Sequence, residues 1–148
     1  MIVVDASVAV KWYFPEMGSE TAIALLDHPE GWLHGPDMLA IEVCASFVRG
    51  ANMDKARKPD AHKFISDFSA KLNDGTVTTH RLSSAQTAKA AILAIDLGHP
   101  LKDCLYLTLA MELDCPLVTA DARFAAKALG VYDGVRVLGM GDEARDRG

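Results

Sequence analysis

Four carboxylates stand where a carboxylate needs an explanation. Asp5 follows the apolar run Ile2, Val3, Val4 in MIVVDAS. A short, β-branched apolar run reads as a buried strand, so this acid sits at a strand's carboxyl end. Glu42 lies in DMLAIEVCASFVRG, an otherwise apolar helical stretch. Its helical neighbours Met38, Leu39, Ala45 and Ser46 include no cation, so no local ion pair accounts for it. It either faces water or takes a partner from another segment. Asp103 falls in the first turn of a helix opened by HPLKD, where the helix dipole alone is worth roughly 0.3–1 kcal/mol to an acid. Asp121 closes PLVTAD before another helix and could serve as its N-cap. Each acid alone has a bland structural explanation, weakest for Asp5.

Taken together they have one economical account. Four carboxylates gathered at one site repel and raise one another's pKa values, and a divalent cation relieves that repulsion. The ligands would be hard oxygens, with no Cys or His pair at zinc spacing, so Mg²⁺ or Mn²⁺ fits better than zinc. Such an ion orients water, helps deprotonate it and stabilises charge on a phosphoryl oxygen. The chemistry that follows is phosphodiester hydrolysis.

The acids need a scaffold that brings them together. The sequence alternates strand and helix. Strands are expected at 2–5, within 32–37, and at 76–82, 116–121 and 135–140. Helices are expected from Ser7, over 19–28 with Ser19 as cap, and from an Asp37 cap to Gly50. Others are expected over 54–74 with a break before Pro59, over 83–98, over 100–114 and over 122–130. Strands separated by helices imply a parallel sheet with helices on both faces, in which ligands bind beyond the carboxyl ends of the strands. Asp5 and Asp121 occupy equivalent strand ends.

The 148 residues are most simply one domain, 50% hydrophobic and 24% charged, an ordinary globular composition. No segment approaches the roughly 18 apolar residues of a membrane helix, and no basic segment precedes an apolar one as in a signal peptide. Cys44, Cys104 and Cys115 are odd in number and form no C-x-x-C pair, which fits reduced, buried thiols and a cytoplasmic setting. His28, His34, His62, His80 and His99 form no convincing catalytic set and read as surface or turn residues. There is no G-x-S-x-G elbow, Walker A loop or Rossmann glycine fingerprint.

The order VVDAS, an acid in a helix near residue 40, HPLKD and LVTADARF resembles the PIN-domain family, specifically the VapC-type toxins of bacterial toxin–antitoxin pairs. The resemblance runs from Ile2 to about Leu138. It implies a three-layer α/β/α fold with a central, mostly parallel sheet over residues 1–140; the remaining residues, GDEARDRG (141–148), read as a charged tail. It implies a Mg²⁺- or Mn²⁺-dependent endoribonuclease whose products carry a 5′-phosphate and a 3′-hydroxyl. Asp5 and Asp103 would be the central metal ligands, with Glu42 and Asp121 completing coordination directly or through water. Ser7 and Thr119 match polar positions beside those acids. Ala122, Arg123 and Phe124 depart from members that carry a further acid after the one matching Asp121, which weakens the case for a second ion. The family further implies a VapB-type antitoxin partner and a homodimer.

The formal charge of −5 argues against a simple basic nucleic-acid binder, but setting the four acids aside leaves −1. The basic stretch with Arg49, Lys55, Arg57, Lys58 and Lys63 either lines a groove for RNA phosphates or is a solvated helical face. Trp12, Tyr13 and Phe14 either pack in the core or offer aromatics to an antitoxin. Two other functions compete. A haloacid-dehalogenase-type phosphatase also places an Asp after an apolar strand, but wants a second Asp where this chain has Ser7. A catalytically silent PIN module would bind RNA or protein without cleavage.

Overall fold

Ile2–Val4 forms strand β1 at the centre of a five-stranded sheet, and all three residues are buried. A strand covered on both faces is apolar throughout rather than alternating, which is why this run lacks a polar face. The computed structural model describes residues 1–139; the other strands are β2 (Leu33–Pro36), β3 (Val77–His80), β4 (Leu117–Thr119) and β5 (Val135–Val137). Their order is β3-β2-β1-β4-β5, and every neighbouring pair is parallel. The strand expected at 135–140 ends at Val137, where a turn follows, and residue 140 with the expected charged tail, 141–148, lies outside the described residues.

Parallel neighbours need crossover connections, and here each is helical. The helices are α1 (Ala6–Ala9), α2 (Ser19–Ala24), α3 (Met38–Met53), α4 (Lys58–Asn73), α5 (Ser84–Leu97), α6 (Leu101–Leu113) and α7 (Ala122–Ala128). Short 3-10 turns occupy Val10–Trp12, Leu25–Asp27 and Lys55–Arg57. The chain steps from β1 outward to β3, then returns to build β4 and β5 on the other side of β1. Right-handed crossovers therefore put α1–α4 on one face and α5–α7 on the other, which makes three layers. The direction of winding reverses between β1 and β4, and the carboxyl ends of those two strands flank the crevice.

Helix α6 is the innermost helix. Cys104 and the whole run from Tyr106 to Ala110 are buried, as expected of a helix without a solvent face. It lies across β1, β2 and β4 and is covered by α5. Helix α5 carries strong end signals: the Ser83 hydroxyl accepts from Gln86 N, the Gln86 side chain accepts from Ser83 N, and Gly98 ends the helix at φ +60°. On the opposite face α3 approaches β2 closely. A Cβ at Gly35 would stand 2.8 Å from Leu39 Cδ2, a fully buried side chain, so the glycine lets α3 dock and carries Glu42 toward the strand ends.

Several local expectations are corrected. Helix α3 runs past Gly50 to Met53, and the stop is Asp54, whose carboxylate accepts from Ala56 N to start the next turn. Gly18, at φ +86°, caps α2 in place of Ser19, whose hydroxyl instead bonds Phe14 O and Glu16 N. Asp37 takes the N-cap position of α3, but its side chain accepts no capping bond. Trp12 is a core residue whose Nε1 donates to Ala22 O at 2.9 Å. Tyr13 and Phe14 are partly buried in an aromatic cluster with Phe47 and Phe64. His34 is buried and paired with His80 across β2 and β3 at 2.8 Å, so the surface or turn reading fails for it. No helix among the described residues is long and apolar enough to cross a membrane.

Candidate metal centre

The carboxyl end of β1 delivers Asp5, only 4% exposed, into the first turn of α1. Its Oδ1 accepts from Ser7 N at 2.9 Å and from the Ser7 hydroxyl. The same hydroxyl accepts from Ala120 N at 3.0 Å, tying the end of β1 to the end of β4. The register Val4↔Val118 sets Asp5 level with Thr119, which is fully buried. Thr119 Oγ1 accepts from Asp121 N at 3.1 Å, and Asp121 Oδ1 caps α7 by accepting from Phe124 N at 3.0 Å. Ser7 and Thr119 thus both lie in the joint between the two strand ends. Capping is one use of Asp121, and its carboxylate also lines the cleft described next.

Glu42 arrives from the second turn of α3 and Asp103 from the first turn of α6. Asp5, Glu42, Asp103 and Asp121 all line one cleft of about 270 Å³, together with Ser7, Ser46, Arg49, Lys102 and Tyr106. The partner that Glu42 lacks in its own helix comes from α6. The buried Tyr106 hydroxyl donates to Glu42 Oε1 at 3.1 Å, and Lys102 Nζ stands 4.0 Å from Oε2. Asp103 Oδ2 bonds His99 Nε2 at 2.6 Å, and the His99 ring stacks on Phe124 with centroids 4.7 Å apart. This corrects the surface reading of His99, whose side chain is 9% exposed.

Burial dominates the electrostatics. It pushes the Asp5 carboxyl from 3.8 up to about 6; the Ser7 and Thr119 hydroxyls oppose the rise and the Asp103 charge adds to it. Burial also raises Glu42, against the pull of the Tyr106 bond and the Lys102 charge, while Asp103 again adds. Burial raises the Tyr106 phenol as well, which keeps it protonated and a donor. Acids held this way are costly to ionise, and a cation repays the cost.

The donor set fits a hard divalent cation. Buried and half-buried carboxylate oxygens converge, and no thiolate joins them. Asp5, Glu42, Asp103 and Asp121 all line the cleft that would receive such an ion. One oxygen or nitrogen from each of His99, Asp103 and Asp121 lies within 4.8 Å of the others, the one such ligand group among the described residues, and it includes neither Asp5 nor Glu42. Arg123 is exposed, in keeping with a solvated helix residue.

The sequence assigns no site role to Tyr106 or Lys102, and reads His99 only as a surface or turn residue. His99 had only a weak signal, four residues before Asp103 in the turn that leads into α6. Tyr106 and Lys102 had none, because their relation to Glu42 exists only once α3 and α6 converge.

A PIN-domain family model matches residues 2–129, a span that includes all four acids. No curated protein matches the chain. Among solved structures, the crystal structure of PAE2754 from Pyrobaculum aerophilum is similar, with a TM-score of 0.56 at 16% identity over 93% of this chain and 90% of that one. At that identity the likeness is one of fold. With the sheet order, the cleft at the switch point and the family match in agreement, the chain belongs to the PIN-domain family of metal-dependent nucleases.

Proposed function

We propose that this protein is a Mg²⁺- or Mn²⁺-dependent endoribonuclease and the toxin of a type II toxin–antitoxin pair. The observation that carries the nuclease reading is the convergence of Asp5, Glu42, Asp103 and Asp121 on one cleft. A bound divalent cation supplies charge neutralisation at the scissile phosphate and a more acidic attacking water. Asp5 and Asp103 would hold it from rigid elements, the end of a buried strand and the first turn of the central helix. Glu42 accepts a proton from the attacking water; its raised affinity for protons and its place across the cleft suit that role. Tyr106 fixes the Glu42 carboxylate through Oε1.

The substrate path is supported by the cleft's surroundings. Arg49 lines the acidic cleft and also a groove that continues past Phe14 and Met53 to Arg57. A single-stranded backbone laid along it meets two guanidinium groups flanking the acids. Of the basic residues read from the sequence, Arg57 lines this groove, whereas Lys58 lines a separate hollow between α3 and α4 with Val48 and Ile65. The antitoxin, of VapB type, occupies the same groove and the adjoining apolar hollow formed by Tyr13, Phe14, Phe47 and Phe64. The protein acts in the cytoplasm and pairs as a homodimer.

The test is cleavage of total cellular RNA by the purified protein with Mg²⁺, with Mn²⁺ and with excess chelator. Discrete cuts bearing 5′-phosphates that need metal support the reading. Cleavage that survives chelation refutes it. Growth arrest on expression, relieved by a small protein encoded beside it, tests the toxin assignment separately.

A further inference from the structure

We propose that His99 is a positioning residue for the metal centre, locking Asp103 in the orientation that presents Oδ1 to the cleft, and that α7 holds His99 in place to do so. The inference rests on the carboxylate site proposed above and assigns it a residue outside the four acids.

A carboxylate in the first turn of a helix rotates freely unless one oxygen is held. Asp103 Oδ2 is held by His99 Nε2 at 2.6 Å, and no other hydrogen bond to the Asp103 carboxylate exists among the described residues. Oδ1 is the oxygen left for an ion. An exposed pair spaced by four residues would be mobile and of little consequence. This one is not exposed: the His99 side chain retains 9% of its surface, and Asp103 24%.

The imidazole is itself fixed from α7. Its ring stacks on Phe124 at 27° between planes. The turn carrying it is pinned on both sides, by Lys127 Nζ donating to Gly98 O at 2.9 Å and by His99 N donating to Ala94 O at 3.0 Å. Phe124 also donates its backbone N–H to Asp121 Oδ1. One residue of α7 therefore braces two of the four acids, Asp121 directly and Asp103 through the stacked imidazole. Hydrogen-bond partners of ligating carboxylates typically change metal affinity by about 10–100-fold when removed. The proximity of His99, Asp103 and Asp121 also allows a rival role, with His99 Nε2 binding the ion itself. The bond to Asp103 already uses that nitrogen, which favours positioning.

The experiment is Mn²⁺ titration of the metal-stripped full chain by calorimetry. It compares wild type, His99→Phe, His99→Gln and Asp103→Asn, with circular dichroism to confirm folding. Phenylalanine keeps the stack on Phe124 and loses the donor; glutamine restores a donor at nearly the same reach. The expected result is Mn²⁺ binding about 10–100-fold weaker in His99→Phe, and recovered to within about 3-fold of wild type in His99→Gln. Wild-type affinity in His99→Phe with binding lost in Asp103→Asn overturns the positioning role and leaves the site intact. Equal weakness in both His99 variants shows a packing role only and also overturns it. A directly bound nitrogen in the electron spin-echo spectrum of Mn²⁺ replaces positioning with ligation. Unchanged binding in Asp103→Asn overturns the site itself.

Discussion

Replacing Asp5 with asparagine should stabilise the metal-free protein while abolishing its function. The reason is the cost of a buried charge. Asp5 binds its proton more tightly folded, at about 6, than at its ordinary 3.8. Between those values the folded state holds a proton that the unfolded state has released, so stability falls as pH rises through the window. Above about pH 6 the whole cost is present, about 3 kcal/mol at 1.36 kcal/mol per pH unit. Asparagine removes the charge and keeps Oδ1 to accept from Ser7 N and Oγ. Burying its amide N–H groups offsets part of the gain, leaving about 1–2 kcal/mol. For a chain of this length that is a rise of about 3–8 °C in Tm. The assay is thermal unfolding of wild type and Asp5→Asn in excess chelator at pH 7.5 and pH 4. The gain should be present at pH 7.5 and nearly absent at pH 4, where folded wild type is already protonated. Adding Mn²⁺ should reverse the ranking, since ligand at 100 times its Kd adds about 2.7 kcal/mol to wild type alone. No gain at pH 7.5, or a gain unchanged at pH 4, would refute the reasoning.

Three further outcomes follow. Tyr106→Phe leaves Glu42 Oε1 without its donor and should cost about 0.5–1.5 kcal/mol, measured as a lower urea midpoint at unchanged slope. Arg49→Ala should weaken single-stranded RNA binding uniformly across sequences and reduce the slope of log affinity against log salt by about 0.7, read by fluorescence anisotropy. Ser83→Ala breaks the capping box of α5 and should cost about 1 kcal/mol in chemical unfolding, with Mn²⁺ affinity unchanged because neither Ser83 nor Gln86 lines the cleft.

What could be read in the sequence was what local physics decides. The β1 run, the Ser83 and Gln86 box with Gly98 at the far end of α5, and the acid after each of β1 and β4 carry their signals within a few residues. Where neighbours in space decide, local reading failed. Gly50 resembles a helix stop, yet it keeps helical geometry beside the Phe14 and Arg57 side chains, and Asp54 ends α3. Ser19 resembles a cap, yet a left-handed Gly18 takes that position. Histidines resemble surface residues until a partner is visible: His80 for His34 across two strands, Asp103 and Phe124 for His99. The acids were legible because each stands at a strand end or in an early helical turn. Tyr106 and Lys102, which answer the lone Glu42, belong to a helix that approaches it only in the folded chain.

The central claim is that Asp5 and Asp103 share a divalent cation at the switch point between β1 and β4. Crystals soaked in Mn²⁺ and measured at the manganese edge test it most directly. The account predicts an anomalous peak in contact with carboxylate oxygens of both Asp5 and Asp103, absent from Asp5→Asn crystals. A peak bound only by His99 and Asp121, or persisting in Asp5→Asn, would contradict it.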